Sequence, residues 1–204
     1  HNLMASSNGM AGVSISGSTR GNDNMKDSQG NIVTTPQLYG GTYTLFAHMM
    51  PSQGVEVRFA ETDRAEDLEK LVDENTRAIY CETIGNPAGN IVDIRAMAAM
   101  ASRNGLPLVV DNTVATPALC KPIELGANIV VHALTKFMGG HGNSLGGIIV
   151  DGGTFDWAAQ ENKFPGMTSP EPAYHDVVYS DAFGPAAFIA RARTVPLRNT
   201  GGAL

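Results

Sequence analysis

The chain has 204 residues, 43% of them hydrophobic and 17% charged, with a formal net charge of -6. That length suits one domain, or one with a small remnant, and is enough for a sizeable core. The acidic balance and the lack of any Lys/Arg cluster argue against nucleic-acid binding, and no apolar run approaches the roughly 18 residues needed to span a membrane.

The start, His1-Asn2-Leu3-Met4-Ala5, has no basic region followed by an apolar stretch, so no signal peptide is read there. Cys81 and Cys120 form neither a disulfide framework nor a CxxC pair, which points to a reducing, cytoplasmic setting. Each reads more simply as a small apolar residue than as a reactive thiol, and no metal site is expected.

Residues 1–30 stand apart. The polar stretch from Ser14 to Asn24 has no helical or strand periodicity, so an irregular segment is expected. Ile32-Val33-Thr34-Thr35, β-branched and closed by Pro36, predicts a strand, and Val55-Glu56-Val57-Arg58-Phe59 alternates with period two and predicts another. A helix is expected over Asp67–Val72 and a strand over Arg77–Cys81. Ile94, Met97, Ala98 and Ala101 fall on one face of a further helix, with Asp93 to cap its start and Gly105 to suit its end. Leu108-Val109-Val110 runs apolar into Asp111, and Ile129–Val131 and Gly146–Val150 predict the remaining strands. Short apolar strands alternating with helices imply βαβ units and an α/β fold with a mostly parallel sheet covered on both faces. Ligands of such sheets bind outside the carboxyl ends of the strands, where Glu82, Asp111 and the Thr135-Lys136 pair all fall.

Four residues bear on chemistry. Lys136 lies just past a buried strand and is followed by glycines; it is either a solvent-facing strand-end lysine or an amine poised to condense with an aldehyde. Asp111 is either a turn residue or the carboxylate that keeps a pyridine nitrogen protonated. Tyr39, beside Gly40 and Gly41, can stack on a flat ring or merely pack, and Asn86 before Pro87 can simply build a turn.

Taken jointly, Tyr39-Gly40-Gly41-Thr42, Glu82-Thr83-Ile84-Gly85-Asn86-Pro87, Val110-Asp111-Asn112-Thr113 and Thr135-Lys136 resemble the pyridoxal-phosphate (PLP) dependent family of Cys/Met metabolism, from about residue 31 to the C-terminus. The resemblance implies the large domain of the fold type I, aspartate-aminotransferase-like PLP enzymes. It implies that Lys136 is the Schiff-base lysine and proton shuttle, that Asp111 pairs with the pyridine nitrogen, and that Tyr39 stacks on the ring and assists proton transfer. Thr135 would offer its hydroxyl to the phosphate, Asn86 would approach the phenolic oxygen of the ring, and Glu82 would support the site from nearby. Ser7–Gly12 is similar to a disturbed form of the family's phosphate-binding turn, with Gly9 and Met10 as the amide donors; by composition it reads equally as a flexible loop.

The tail, Asp151–Trp157, Tyr174-His175-Asp176 and Ala182–Ala187, is more similar to O-acetylhomoserine sulfhydrylases than to lyases. This implies a transferase of sulfur amino-acid biosynthesis that exchanges the acetate of O-acetyl-L-homoserine for sulfide, giving homocysteine. A γ-lyase that releases an oxoacid and ammonia is the alternative, as is a PLP-binding remnant without activity. A dinucleotide-binding domain ranks low, since no G-x-G-x-x-G follows a strand into a helix. The family also implies homo-oligomers, dimers or tetramers. Ala133 replaces a serine usual in the family, which removes a phosphate hydroxyl worth about 1–3 kcal/mol. No counterpart is read for the family's N-terminal arm or its C-terminal domain, so the expected organisation is an irregular segment (1–30), a PLP-binding domain (31–185) and a helix leading towards a further domain (186–204). Arg191, Arg193 and Arg198 read as a solvated helix face, and Trp157 and Phe183 as core.

Overall fold

The computed structural model describes residues 2–6 and 30–198. One seven-stranded sheet organises them: β1 (Asn2–Ser6), β2 (Asn31–Thr34), β3 (Glu56–Phe59), β4 (Thr76–Glu82), β5 (Leu108–Asp111), β6 (Ile129–Ala133) and β7 (Gly147–Asp151), in the order β1-β7-β6-β5-β4-β2-β3. Neighbours from β3 through β6 pair in parallel, whereas β7 runs antiparallel to both β6 and β1. The helical segments are α1 (Gly40–Thr44), α2 (Met50–Ser52), α3 (Ala65–Glu69), α4 (Ile94–Arg103), α5 (Thr116–Leu119), α6 (Pro165–Thr168), α7 (Tyr179–Phe183) and α8 (Ala187–Ala192). A π-helical stretch, Leu45–Met49, joins the first two.

The strands are apolar on both sides because helices cover both sides. Alternation sends Ile32, Ala78, Tyr80, Val109, Val131 and Ile149 to a core shared with Phe46, Met50, Trp157 and Tyr179. Their neighbours Val33, Ile79, Cys81, Leu108, Val110 and Val130 meet Leu68 and the buried stripe of α4. Asp93 caps α4 as expected, its Oδ1 accepting from the Ala96 amide at 3.0 Å, and Gly105 leaves it at φ 63°. Met100 joins Ile94, Met97 and Ala101 in the core, while Ala98 is only partly covered. The helix expected over 67–72 begins two residues earlier and stops at Glu69; Leu71 and Val72 lie in the turn that follows.

Three expectations need correction. Residues 2–6, read as part of an irregular segment, form β1. They carry no β-branched side chain, and it is the open edge of β7 that recruits them; tertiary pairing outweighs intrinsic preference here. Arg191 does not sit on a solvated face: its side chain is 13% exposed, pairs with Glu171 at 3.3 Å and lies 5.7 Å over the Tyr179 ring. Trp157 is core, at 8% exposure, within a cluster with Phe155, Phe164 and Phe188. Phe183, at 45%, is instead half exposed against Tyr179. Among the described residues no helix is long and apolar enough to cross a membrane.

Candidate active site

The carboxyl ends of β4, β5 and β6 lie side by side. Glu82 is in register with Asp111, and Asp111 with Val131, two residues before Ala133. The alternation that puts Tyr80 and Val109 in one core puts Glu82 and Asp111 on the same face, at the sheet's rim. Thr135 and Lys136 follow β6 in a turn closed by the Gly139 amide on the Leu134 carbonyl (2.8 Å) and the Gly140 amide on the Lys136 carbonyl (2.9 Å).

Lys136 is exposed, yet its Nζ stands over the Tyr39 ring, 5.6 Å from the centroid, within range of a cation–π contact. Tyr39 is the residue before α1, and its amide donates to Glu82 Oε1 at 2.6 Å. Glu82 is 5% exposed. Burial pushes its carboxyl up to about 7, against the pull of the Tyr39 amide and with the nearby Asp111 adding to the rise. Four sequence-predicted residues, Tyr39, Glu82, Asp111 and Lys136, thus meet at one rim.

Asp111 is buried, and burial holds its carboxyl above the usual range. Its Oδ1 accepts from the Thr113 amide at 2.9 Å and its Oδ2 from the Tyr80 phenol at 3.4 Å. No Lys or Arg pairs with it among the described residues. His132 lies near, but burial lowers its pKa and favours the neutral ring. A buried carboxylate is costly without an opposite charge, and a protonated heterocyclic nitrogen is a group that would supply one. The residues present therefore fit a pyridinium: an acid for its nitrogen, an amine for its aldehyde and a half-exposed aromatic face for its ring.

The remaining candidates are placed less closely. Thr135 Oγ1 accepts from the Gly146 amide at 3.1 Å and donates to its carbonyl at 3.4 Å, so it ties the lysine turn to the start of β7. Asn86 is exposed beyond β4, joined to Pro87 by a cis bond. Gly9 and Met10 lie outside the described residues.

Beneath the rim is a network that no single motif announces. Thr83 Oγ1 donates to Asn112 Oδ1 (2.8 Å), Asn112 Nδ2 donates to the Cys120 carbonyl (2.9 Å), and His132 Nδ1 donates to the Asn112 carbonyl (3.1 Å). Thr113 Oγ1 accepts from the Ala133 amide at 2.8 Å. These bonds lock the ends of three strands together around Asp111. Period two does point to Tyr80, two residues before Glu82 on one strand. A cavity of about 290 Å³, lined by Thr154, Phe155, Trp157 and Ser180 among others, follows β7 at the opposite end of the sheet, away from this rim.

The family described as Cys/Met metabolism PLP-dependent enzyme matches residues 1–187. The homocysteine/cysteine synthase of Kluyveromyces lactis is 48% identical over 175 residues, covering 85% of this chain and 39% of that protein. The chain spans about two fifths of the length of the curated relatives it matches. The solved O-acetylhomoserine sulfhydrylase of Wolinella succinogenes superposes with a TM-score of 0.78 at 32% identity, over 99% of this chain and 53% of that one. A crystal structure from Campylobacter jejuni that holds N'-pyridoxyl-lysine-5'-monophosphate gives 0.80 at 32%, over 87% and 44%.

Proposed function

We propose that this chain, which belongs to the Cys/Met metabolism PLP-dependent enzyme family, carries the cofactor site of an enzyme that replaces the acetate of O-acetyl-L-homoserine with sulfide to give L-homocysteine. The fold is that of the family's solved sulfhydrylases, with a mostly parallel sheet flanked by helices, and the family's cofactor is PLP. The observation that carries the reading is the Lys136 amine over the Tyr39 ring, with Tyr39 tied to Glu82 and Glu82 in register with Asp111.

When bound, PLP supplies an aldehyde for an amine and a ring that takes up charge from a deprotonated substrate carbon. The protein's part is to place protons. Asp111, a buried carboxyl that no Lys or Arg pairs with among the described residues, would hold one on the ring nitrogen. Lys136 would hold the cofactor through its amine and, as the free amine, would take the proton from Cα and return it later. Tyr39, whose ring stands beside the Lys136 amine, would lie against one face of the ring. A second proton would leave Cβ as the bond from Cγ to acetate breaks; sulfide would then bond to Cγ, and a proton would return to Cβ. The substrates are thus a small amino-acid ester and sulfide.

The test is a visible spectrum of the chain after adding PLP, repeated for Lys136→Ala. A band in the parent alone supports the cofactor site; equal spectra would sink it. With O-acetylhomoserine and sulfide the product should be homocysteine. Release of an oxoacid and ammonia without sulfide would replace the transferase reading by elimination.

A further inference from the structure

Tyr39 is held at two points by residues that the proton transfers do not use. Its main chain is fixed by Glu82, whose Oε1 accepts from its amide at 2.6 Å. Its ring lies against Gly41: a Cβ built there would fall 2.7 Å from Cε1 and 3.3 Å from Cδ1 of Tyr39. The first distance is closer than side-chain carbons come. The adjacent Gly40, one position earlier in α1, would meet nothing within 4 Å. Both glycines stand where alanine is the better helix former, so helix formation does not explain a glycine at 41. The ring is 48% exposed and belongs to neither core cluster, which leaves its orientation to local contacts.

We infer that Gly41 and Glu82 are positioning residues for Tyr39. Glu82 sets the height of its main chain above the rim, and Gly41, by lacking a Cβ, leaves the space its ring occupies facing the Lys136 amine. The inference rests on the proposed role of Tyr39 as the platform for the cofactor ring. An alanine at 41 would turn the half-exposed ring outward, because that is the easiest way to relieve the overlap. The helix would be undisturbed or strengthened.

The experiment compares G41A with G40A in the whole chain. Thermal midpoint, PLP affinity from the visible band, and the Tyr39 ring signal in carbon-labelled, cofactor-free protein are read for each, with Tyr39→Phe assigning the signal. G41A should keep or raise the midpoint, move the ring signal and weaken PLP binding about tenfold; G40A should leave ring and affinity as in the parent. Glu82→Leu should weaken binding to a similar degree, and Glu82→Gln, whose amide oxygen still accepts from the Tyr39 amide, should stay within about twofold of the parent. G41A and G40A giving the same ring signal and affinity would overturn the role of Gly41, and Glu82→Leu binding like the parent would overturn that of Glu82. A parent without a visible band overturns the cofactor site instead; the ring signal, read without cofactor, still decides whether these residues set Tyr39.

Discussion

The Tyr80 phenol reaches Asp111 Oδ2 at 3.4 Å across the β4–β5 pair, from the strand that also ends in Glu82. Tyr80 is 1% exposed and its ring meets Phe46 edge-on at 5.0 Å, so the hydroxyl is delivered to the carboxyl by the core rather than by a loop. A buried carboxyl, a buried phenol and a buried glutamate thus share one rim. Burial pushes all three upward in pKa.

Tyr80→Phe keeps the packing and removes the hydroxyl. The bond to Asp111 is long and contributes at the low end of the usual range, and the hydroxyl also meets Thr42, so stability should fall by about 1–2 kcal/mol. Asp111 would lose a donor that favours its ionised form, and its pairing with a ring nitrogen should weaken. PLP affinity should drop about threefold to tenfold. Titration of the visible band measures this, and an unchanged affinity would show that the phenol serves packing alone.

Glu82 makes the cofactor-free chain sensitive to pH. Burial pushes its carboxyl up to about 7 in the fold, from the ordinary glutamate value of 4.5. A raised acid holds its proton in the fold after the unfolded chain has lost it, so the unfolded state gains as pH rises. The contribution of Glu82 to stability should be greatest below about pH 4.5, decline through the interval and level off above about pH 7, a change of roughly 3 kcal/mol. Urea unfolding of Glu82→Gln should lack this component, so the two curves should diverge between pH 5 and 7. Parallel curves would mean that Glu82 is ionised in the fold throughout.

Much of this was legible in the sequence. Strand alternation and capping gave six strands and α4 to within a residue or two, and the residues at the strand ends gave the rim, because period two and burial act locally. What escaped depends on distant partners. Nothing in residues 2–6 specifies an edge strand until β7 offers its free edge. Arg191 looks like a surface arginine until Glu171, twenty residues away, is folded against it. The bond that ties Thr135 to Gly146 spans eleven residues and forms only once β7 is in place. The place of Tyr39's ring depends on a missing side chain at 41, which a motif records only as a glycine.

Gly85→Ala tests the loop that carries Asn86. The Gly85 amide donates to the Asn90 carbonyl at 2.9 Å, and the Asn90 side chain reaches Asp63 at 2.7 Å. A Cβ at 85 would overlap the Asn90 amide oxygen and lie 2.8 Å from Cβ of Gln37, in the segment leading to Tyr39. Overpacking of this kind costs about 1–3 kcal/mol. Removing the Asn90 side chain as well should return part of the loss. Denaturation of the two single variants and the double variant gives the coupling, and strict additivity would place the strain elsewhere.

Asn112 ties the end of β5 to Thr83, Cys120 and His132. It is 0% exposed, and its amide group serves both Thr83 and the Cys120 carbonyl. Asn112→Ala leaves the buried Thr83 hydroxyl and the partly buried Cys120 carbonyl without this partner and should cost about 2–4 kcal/mol. Asn112→Asp is the sharper variant. It keeps the size and still accepts from Thr83, but at neutral pH it sets a carboxylate against the Cys120 carbonyl and next to Asp111. Protonated, the same side chain can donate to that carbonyl. The aspartate variant should therefore be much less stable than the parent at pH 7 and recover part of the difference near pH 4, whereas the alanine variant should show no such recovery. Chemical denaturation at the two pH values measures it; an aspartate deficit independent of pH would mean that the new carboxyl reaches solvent and that the lock around Asp111 is looser than these bonds imply.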